Sequence, residues 1–389
     1  MSRKRLLIIV LAILALLHLY IGVRLVPDLP AQPVGMLLGA LYLLLSLILI
    51  PLGFVSRRFL PAFLVQRISW PSLMAIGFGS SLLVLTLLRD VALLVGNALL
   101  SDASFTCLAE STAPLVVVAA LILTLLGLFN ARRLARVKKV DIAIAGLPEG
   151  LHNFTIAQIS DIHVGPTIKG DYLDAIVQAV NRLSPDVVAI TGDLVDGSVK
   201  ELAPHVQPLA RLTSKQGVYF VTGNHEYYSG VRGWLQELPR LGVQVLMNEH
   251  RILLHRGEKL LLAGVADYSA HVFEPSHRSD PAKALKGAPR DAAVKVLLAH
   301  QPRSCHAAAQ AGFDLQLSGH THGGQFLPWN FFVRLQQPFT AGLHRIGQLQ
   351  LYISRGTGYW GPPKRLGAPS EITLIRLVPG ENLEAGTLS

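Results

Sequence analysis

Residues 154–163 read Phe-Thr-Ile-Ala-Gln-Ile-Ser-Asp-Ile-His, an apolar run that ends in two side chains able to bind a metal ion. The run is short and rich in β-branched residues, which predicts a buried strand over residues 154–160. Asp161 and His163 follow it directly. Side chains two apart on an extended backbone point to the same side, so we expect both to reach one ion.

Four further polar clusters also follow apolar runs. They read Gly192-Asp193, Gly223-Asn224-His225-Glu226, His300-Gln301 and Gly319-His320-Thr321-His322-Gly323-Gly324. The runs predict strands over residues 186–191, 217–222, 294–299 and 314–318, with helical patterns between several of them, such as 172–183 and 202–212. Strands alternating with helices favour an α/β sheet with buried strands. Open sheets of this kind bind ligands beyond the carboxyl ends of their strands, where all five clusters lie.

The end of the chain has a different pattern. Residues 349–354 and 371–378 are two strand-like runs with no helical pattern between them. We therefore expect these two runs to pair, in a second sheet that is mixed or antiparallel.

The donors in the five clusters are suited to two metal ions. His320 and His322 repeat the spacing of the first pair, His300 ends a strand, and Asn224 offers an amide oxygen. Asp193 is the natural bridging carboxylate, because the preceding glycine lets the loop pass close to the ions. A mixed oxygen and nitrogen set suits Mn, Fe, Zn or Co better than Ca or a structural zinc. We expect two divalent ions, with Mn favoured.

Two such ions would activate water and hold the attacking and leaving oxygens of a phosphoryl group. His225 lies next to a ligand but is not needed as one. It can protonate the leaving oxygen or stabilise the transition state. The motifs therefore predict a metal-dependent phosphoesterase.

From Thr155 to Leu377 the sequence resembles the calcineurin-like metallophosphoesterases, since all of that family's metal-binding motifs are among those quoted. The resemblance implies a metallophosphoesterase-type α/β/β/α sandwich and matches His225 to the family's catalytic histidine. It assigns Asp161, His163, Asp193 and His322 to one metal, and Asp193, Asn224, His300 and His320 to the other. Residues 354–372 look like the bacterial membrane-associated branch, some members of which hydrolyse the pyrophosphate of UDP-diacylglucosamine or related lipid-linked substrates.

The first third of the chain has a different composition. The mean hydropathy is +0.42, and the apolar excess lies before about residue 130. Four runs there are long enough to cross a hydrocarbon core of roughly 30 Å, at residues 6–23, 33–55, 70–88 and 112–129. We predict a four-helix transmembrane region over 1–131, a basic linker and first strand over 132–150, a catalytic domain over 151–380 and a tail over 381–389. The third span is expected to end at Leu88, which leaves Arg89-Asp90 at the interface.

Basic residues predict the orientation of these spans. One side carries Arg3, Lys4, Arg5, Arg57, Arg58, Arg67, Arg132, Arg133, Arg136, Lys138 and Lys139. The other side has Arg24 and Arg89. Both termini and the catalytic domain are therefore expected in the cytoplasm, on a bacterial inner membrane. The net charge of +10 belongs largely to these clusters beside lipid headgroups, so nucleic acid is not an expected partner.

The motifs explain phosphoester cleavage but leave the substrate and the oligomeric state open. Aromatic residues at 326–332 and 359–360, the latter followed by Lys364-Arg365, favour a lipid-linked substrate at a bilayer. One alternative keeps the same site for a soluble phosphoester, such as a cyclic nucleotide or a phosphoprotein. Another is a non-catalytic membrane scaffold or sensor, which the complete set of ligands disfavours.

Overall fold

The computed structural model describes residues 3–380. They form two compact units: a helical unit of residues 3–132 and 361–366, and a sheet unit of residues 133–360 and 367–380. The tail predicted at residues 381–389 lies outside the described residues, as do the side chains of Arg3, Arg57 and Arg58 from the orientation argument.

The helical unit contains four helices that are long and apolar enough to cross a membrane. They are α1 (Arg3–Leu25), α2 (Val34–Phe59), α3 (Ala62–Leu99) and α4 (Asp102–Arg132). α1, α3 and α4 each contain one of the predicted spans and extend beyond it, whereas α2 begins one residue after the predicted start of its span and ends four residues after its predicted end. Small and branched side chains such as Ile21, Leu82 and Ala113 pack between the helices. Many leucines face outward, as expected of helices whose solvent is lipid.

The prediction that the third helical span ends at Leu88 is wrong, because α3 continues well beyond that residue. Arg89 and Asp90 do not pair with each other. The buried Arg89 guanidinium binds Asp28, and Asp90 accepts a 2.9 Å hydrogen bond from Nε of Arg24. Both partners lie at or just after the end of α1, so the two charges are neutralised within the helical unit.

Residues 361–366 also belong to the helical unit. Lys364 and Arg365 in this segment are buried, with 2% and 1% of their surface exposed. The Lys364 ammonium donates to the Gly77 carbonyl and the Ser81 hydroxyl. Both cations are therefore buried, and not exposed as the sequence led us to expect.

The sheet unit contains twelve strands. They are β1 (Arg136–Ala145), β2 (Thr155–Ile159), β3 (Val187–Ile190), β4 (Val218–Phe220), β5 (Val243–Val245), β6 (Glu249–His255), β7 (Glu258–Gly264), β8 (Val294–Leu298), β9 (Leu315–Ser318), β10 (Gly342–Ile346), β11 (Leu349–Ile353) and β12 (Glu371–Gly380).

Seven helices accompany these strands. They are α5 (Gly170–Asn181), α6 (Val199–Val206), α7 (Asn224–Tyr228), α8 (Val231–Arg240), α9 (Pro281–Ala284), α10 (Cys305–Ala311) and α11 (Trp329–Gln336).

The strands form two mixed six-stranded sheets. The first has the order β1-β12-β2-β3-β4-β5, and β2 to β5 are parallel. The second has the order β10-β11-β9-β8-β7-β6, with β7, β8, β9 and β11 parallel and antiparallel strands at both edges. Parallel strands buried on both faces explain why the sequence shows continuous apolar runs there rather than alternation.

One large core joins the two sheets. Its members include Val187 and Ala189 of β3 and Leu260 and Leu262 of β7. A second core covers the outer face of the second sheet, where Cys305 and Ala308 of α10 meet Leu297. The unit is the α/β/β/α sandwich that the resemblance implied.

The predicted pairing of the last two strand-like runs is wrong. β11 lies between β10 and β9 in the second sheet, whereas β12 lies between β1 and β2 in the first. β12 pairs with β1 in parallel over ten residues, from Arg136 opposite Glu371 to Ala145 opposite Gly380. The pattern of each run indicates a strand, but it contains no information about which neighbour the strand joins.

Candidate metal centre

The five polar clusters meet at the carboxyl ends of β2, β3, β4, β8 and β9. Their backbone is not extended. Five of the predicted ligands have left-handed φ values, namely Asp161 (53°), His163 (56°), Asp193 (51°), His320 (72°) and His322 (51°). Each such conformation costs about 1–3 kcal/mol in a non-glycine residue and persists only where the surroundings impose it. The ligands converge because the chain turns sharply after each strand, and not by strand alternation.

Glycine allows these turns to approach one another. A Cβ on Gly319 would lie 2.0 Å from Oγ of Ser160 and 2.1 Å from Oδ2 of Asp161. Since real contacts of a Cβ are essentially never below 3.0 Å, only glycine fits there. This close approach lets the backbone N–H of His320 donate to both carboxylate oxygens of Asp161, at 2.9 and 3.1 Å.

A first group of donors consists of Asp161, His163 and His322. The Nε2 atoms of the two histidines are 3.1 Å apart, and Nε2 of His322 is 3.6 Å from Oδ1 of Asp161. All three side chains are buried. Three donor atoms at such spacing can bind one cation.

A second group consists of Asp193, His300 and His320. Oδ2 of Asp193 is 3.1 Å from Nε2 of His300, which is 3.2 Å from Nδ1 of His320. The same oxygen lies 3.8 Å from Nε2 of His163 in the first group. Asp193 therefore stands between the two groups, where a bridging carboxylate must be.

The surroundings of His300, His320 and Asn224 are suited to side chains that bind a metal cation. Nδ1 of His300 lies 2.8 Å from the Thr191 carbonyl and must donate its proton there, so Nε2 is the atom directed to the site. Burial would lower the pKa of His300, but the charge of Asp193 outweighs it and raises the pKa well above its ordinary value. Burial, followed by the charge of His300, lowers the pKa of His320 to about 3, so the His320 ring is neutral. Oδ1 of Asn224 is buried without a hydrogen-bond partner among the described residues. The next residue, His225, donates its backbone N–H to Oδ1 of Asp193 at 2.9 Å. An orphaned oxygen in this loop needs a cation or another donor.

His225 forms a third group of neighbouring donors with His163 and Asp193. Nδ1 lies 2.6 Å from Oδ1 of Asp196, while Nε2 lies 4.0 Å from Oδ2 of Asp193. Burial alone would lower the pKa of His225, but the charges of Asp193 and Asp196 outweigh it and raise the pKa to about 9. The ring can therefore hold a proton at neutral pH and present it at Nε2.

Two carboxylates of the site were not predicted from the sequence. Oδ1 of Asp196 also lies 3.0 Å from Nδ1 of His163, so one oxygen holds two site histidines. Glu226 is fully buried and accepts hydrogen bonds from the backbone N–H groups of Asp193, Leu194 and Gly223. Asp196 lies three residues after Asp193, and Glu226 is part of a quoted cluster. The sequence shows both carboxylates close to predicted site residues, but nothing in the sequence indicated that they hold those residues in place.

Exposed aromatic rings flank His225. Its ring centroid is 5.1 Å from that of Tyr228 and 5.6 Å from that of Trp360, and Tyr228 contacts Phe273 at 5.5 Å. Tyr228 is 61% exposed and Trp360 is 47% exposed. These three residues, called the aromatic rim below, give the mouth of the site an apolar border.

Comparisons with known proteins agree with this geometry. The family model described as "Calcineurin-like phosphoesterase" matches residues 154–324. A Danio rerio protein named "Transmembrane protein with metallophosphoesterase domain" is 40% identical over 265 residues, which are 66% of this chain and 60% of the relative. An uncharacterized metallophosphoesterase of Aquifex aeolicus is 34% identical over 244 residues, which are 62% of this chain and 91% of that protein.

The chain thus spans about 60% of the length of the Danio rerio relative. Among solved structures, a 5'-nucleotidase precursor from Thermus thermophilus shares 14% sequence identity and a TM-score of 0.38. That likeness covers 58% of this chain and 55% of the nucleotidase.

Proposed function

Because the chain belongs to the calcineurin-like phosphoesterase family, we propose that it is a membrane-anchored, two-metal phosphohydrolase that cleaves phosphodiester or pyrophosphate bonds. The observation that carries the proposal is the convergence of donors around Asp193. The orphaned Oδ1 of Asn224 supports it. Divalent ions bound there, with Mn favoured, would supply an activated water and neutralise charge on the phosphoryl oxygens. The residues proposed to hold them are Asp161, His163, Asp193, Asn224, His300, His320 and His322.

His225 is the proposed proton donor to the leaving oxygen. Its Nδ1 is held by Asp196, so the ring cannot rotate away and Nε2 faces the donor set. A positioned general acid of this kind contributes about 10²–10⁴-fold to the rate. The raised pKa of His225 supports a ring that is charged before the bond breaks.

A lipid-linked substrate of the UDP-diacylglucosamine type is the substrate class we propose. The aromatic rim supports it, because exposed rings beside the proton donor offer an apolar surface to the leaving group. The four apolar helices support it too, since a membrane anchor keeps the site near lipids. A soluble phosphoester remains the alternative that the experiment below distinguishes.

The test compares the purified full chain with its His225→Ala and His306→Ala variants. His306 is exposed on α10 and serves as the matched control. We expect the first variant to keep its bound metal and lose at least 100-fold in kcat, while the control retains both. Substrates are a lipid-linked pyrophosphate in mixed micelles and a soluble phosphodiester, each with Mn²⁺. Wild-type turnover by His225→Ala would refute the assigned role, and preference for the soluble ester would refute the lipid substrate.

We also place the sheet unit in the cytoplasm of a bacterium, on the basic residues that flank the spans. Single cysteines at Leu254 of the sheet unit and at Ser101, between α3 and α4, test this in a background lacking Cys107 and Cys305. An impermeant maleimide applied to intact spheroplasts should label position 101 and should reach position 254 only after lysis. Labelling of position 254 in intact spheroplasts would reverse the orientation.

A further inference from the structure

Helix α11 exposes an apolar face. Trp329, Phe331, Phe332 and Leu335 are 45%, 62%, 54% and 81% exposed. At 3.6 residues per turn, these four side chains lie within one half of the helix circumference. Asn330 lies on the opposite side, where it packs so closely that a Cβ on Gly324 would be 2.4 Å from its own Cβ.

The C-terminal end of α11 is attached to residues beside the metal centre. Gln337, directly after the helix, is buried and donates to Oε1 of Gln301 at 3.1 Å. Its own Oε1 accepts a 3.3 Å hydrogen bond from the backbone of Arg303. Gln301 follows the predicted ligand His300 in the chain. The helix therefore cannot fold its aromatic face back onto the sheet unit without breaking buried hydrogen bonds.

The charges around α11 suit an anionic surface. Residues 315–360 contain no Asp or Glu and include Arg334, Arg345 and Arg355. Arg334 on α11 and Arg345 on β10 are exposed. Trp, Phe and Leu on one face of a short helix, with Arg beside them, is the composition of helices that lie in the headgroup region of a bilayer.

The chain itself keeps the start of the sheet unit close to the end of the last apolar helix. α4 ends at Arg132 and β1 begins at Arg136, so three residues join the last apolar helix to the sheet unit. At roughly 3.5 Å per residue this link reaches about 14 Å. A bilayer that α4 spans would therefore lie near the start of β1, and lipid is the occupant that we infer for the apolar face of α11.

We propose that α11 is an interfacial helix, whose face of Trp329, Phe331, Phe332 and Leu335 lies in the headgroup region of an anionic bilayer beside the metal centre. The inference rests on the membrane anchoring in the proposed function, but it does not depend on the substrate or on turnover.

The test uses the full chain in nanodiscs that each hold one copy, with Cys107 and Cys305 replaced by alanine. A fluorophore is attached to a single cysteine at Leu335, at Leu254 or at Leu44. Leu254 on β6 is 65% exposed. β6 is the edge strand opposite β10, which follows α11 in the chain, so Leu254 is the matched control. Leu44 on α2 is 55% exposed and reports anchoring alone. Aqueous iodide and lipids with nitroxide-labelled acyl chains serve as the two quenchers.

We expect the label at position 335 to be quenched at least 3-fold more by the nitroxide lipid, and at least 3-fold less by iodide, than the label at position 254. Equal iodide quenching at positions 335 and 254, with position 44 quenched by lipid, overturns the inference and leaves the anchor intact. Lack of lipid quenching at position 44 refutes the anchoring itself. Shielding of position 335 that occurs only in discs with two copies identifies a second chain as the occupant and also overturns the inference.

Lipid charge provides an independent readout. Nitroxide quenching at position 335 should be stronger in discs with anionic lipid than in discs with zwitterionic lipid alone. Arg334→Gln should reduce this difference, while Arg251→Gln, on β6, should leave it unchanged. Equal quenching in both lipids for the otherwise unaltered chain would contradict the charge argument.

Discussion

A residue that hydrogen-bonds to the histidines of the site determines how those side chains are oriented. The carboxylate of Asp196 holds Nδ1 of both His163 and His225, so one side chain orients a predicted ligand and the proposed proton donor. Burial would raise the pKa of Asp196, but the two histidines outweigh it and keep the pKa well below its ordinary value. An ionised Asp196 fixes the proton of each ring on Nδ1 and turns Nε2 toward the site.

Asp196→Asn should lower kcat by about 10–100-fold at saturating Mn²⁺, which is the usual effect of removing a partner that orients a site histidine. Its apparent metal affinity should fall as well, because His163 loses the same partner. Steady-state kinetics at rising Mn²⁺ separate the two effects. Asp291→Asn is the control, since Asp291 pairs with Lys259 at the surface. A variant Asp196→Asn with wild-type kcat at saturating metal would show that this carboxylate does not position His225.

The residue types of the site could be predicted from the sequence, whereas their conformations could not. Asp, Asn and His at strand ends are visible in the amino-acid sequence, and the structure groups the six Asp and His residues among the seven proposed ligands into sets of neighbouring donors. The left-handed φ values of Asp161, His163 and Asp193 are not encoded in those letters. They are imposed by contacts distant in sequence, such as the turn after β9 packing on Asp161. Asp196 escaped notice because its partners come from two other loops.

The parallel strands bring the proposed ligands to one edge of the sheets, because each strand carries its ligands at its carboxyl end. The beginnings of β2 and β3 are joined by Asp186, which is buried and accepts 2.8 Å hydrogen bonds from the backbone N–H and hydroxyl of Thr155. Lys215 donates to the same carboxylate at 2.9 Å. Burial would raise the pKa of Asp186, but the hydrogen bonds from Lys215 and Thr155 outweigh it, and the pKa lies below its ordinary value.

Asp186→Asn should reduce the free energy of unfolding of the sheet unit by about 1.5–3 kcal/mol at pH 7, as expected for hydrogen bonds to a charged group. Because the folded-state pKa is lowered, this contribution is complete above the unfolded pKa of about 3.9. It is lost as the pH falls through the lower folded-state pKa. Denaturation followed by the fluorescence of the buried Trp234 measures the difference between the two proteins from pH 7 to pH 3.

The control is Asp174→Asn, because Asp174 pairs with Arg211 at the surface, where solvent screens the ion pair and its removal should change stability little. A difference for Asp186→Asn that stays constant down to pH 3 would contradict the ionic account.

Element type was more predictable than element pairing. The runs that form β2, β3, β4, β8 and β9 were located within one or two residues, because buried parallel strands are short, apolar and followed by turns. The partners of β11 and β12 were not predictable, since both strands have the same pattern and their neighbours are distant in the chain. The third span was predicted to end too early, because a charged pair inside an apolar run is typical of the end of a membrane span. Its partners on and just after α1 remove that penalty.

At the scale of the whole molecule, composition alone separates four apolar helices from a two-sheet sandwich, as the structure has them. The position of residues 361–366 in the helical unit was not predictable, because Lys364 and Arg365 look like surface residues in the sequence. The central claim is that the sandwich binds two divalent ions through a shared Asp193 and uses them to hydrolyse phosphoesters.

The most direct test is to measure bound metal per chain by elemental analysis, together with phosphodiester hydrolysis, for the wild type, Asp193→Ala and Asp291→Ala. We predict two ions and Mn²⁺-dependent turnover in the wild type and in Asp291→Ala. Asp193→Ala should bind fewer than one ion per chain and lose at least 100-fold in kcat, because both donor groups lose their shared oxygen. A variant Asp193→Ala that keeps two ions and wild-type turnover would contradict the account.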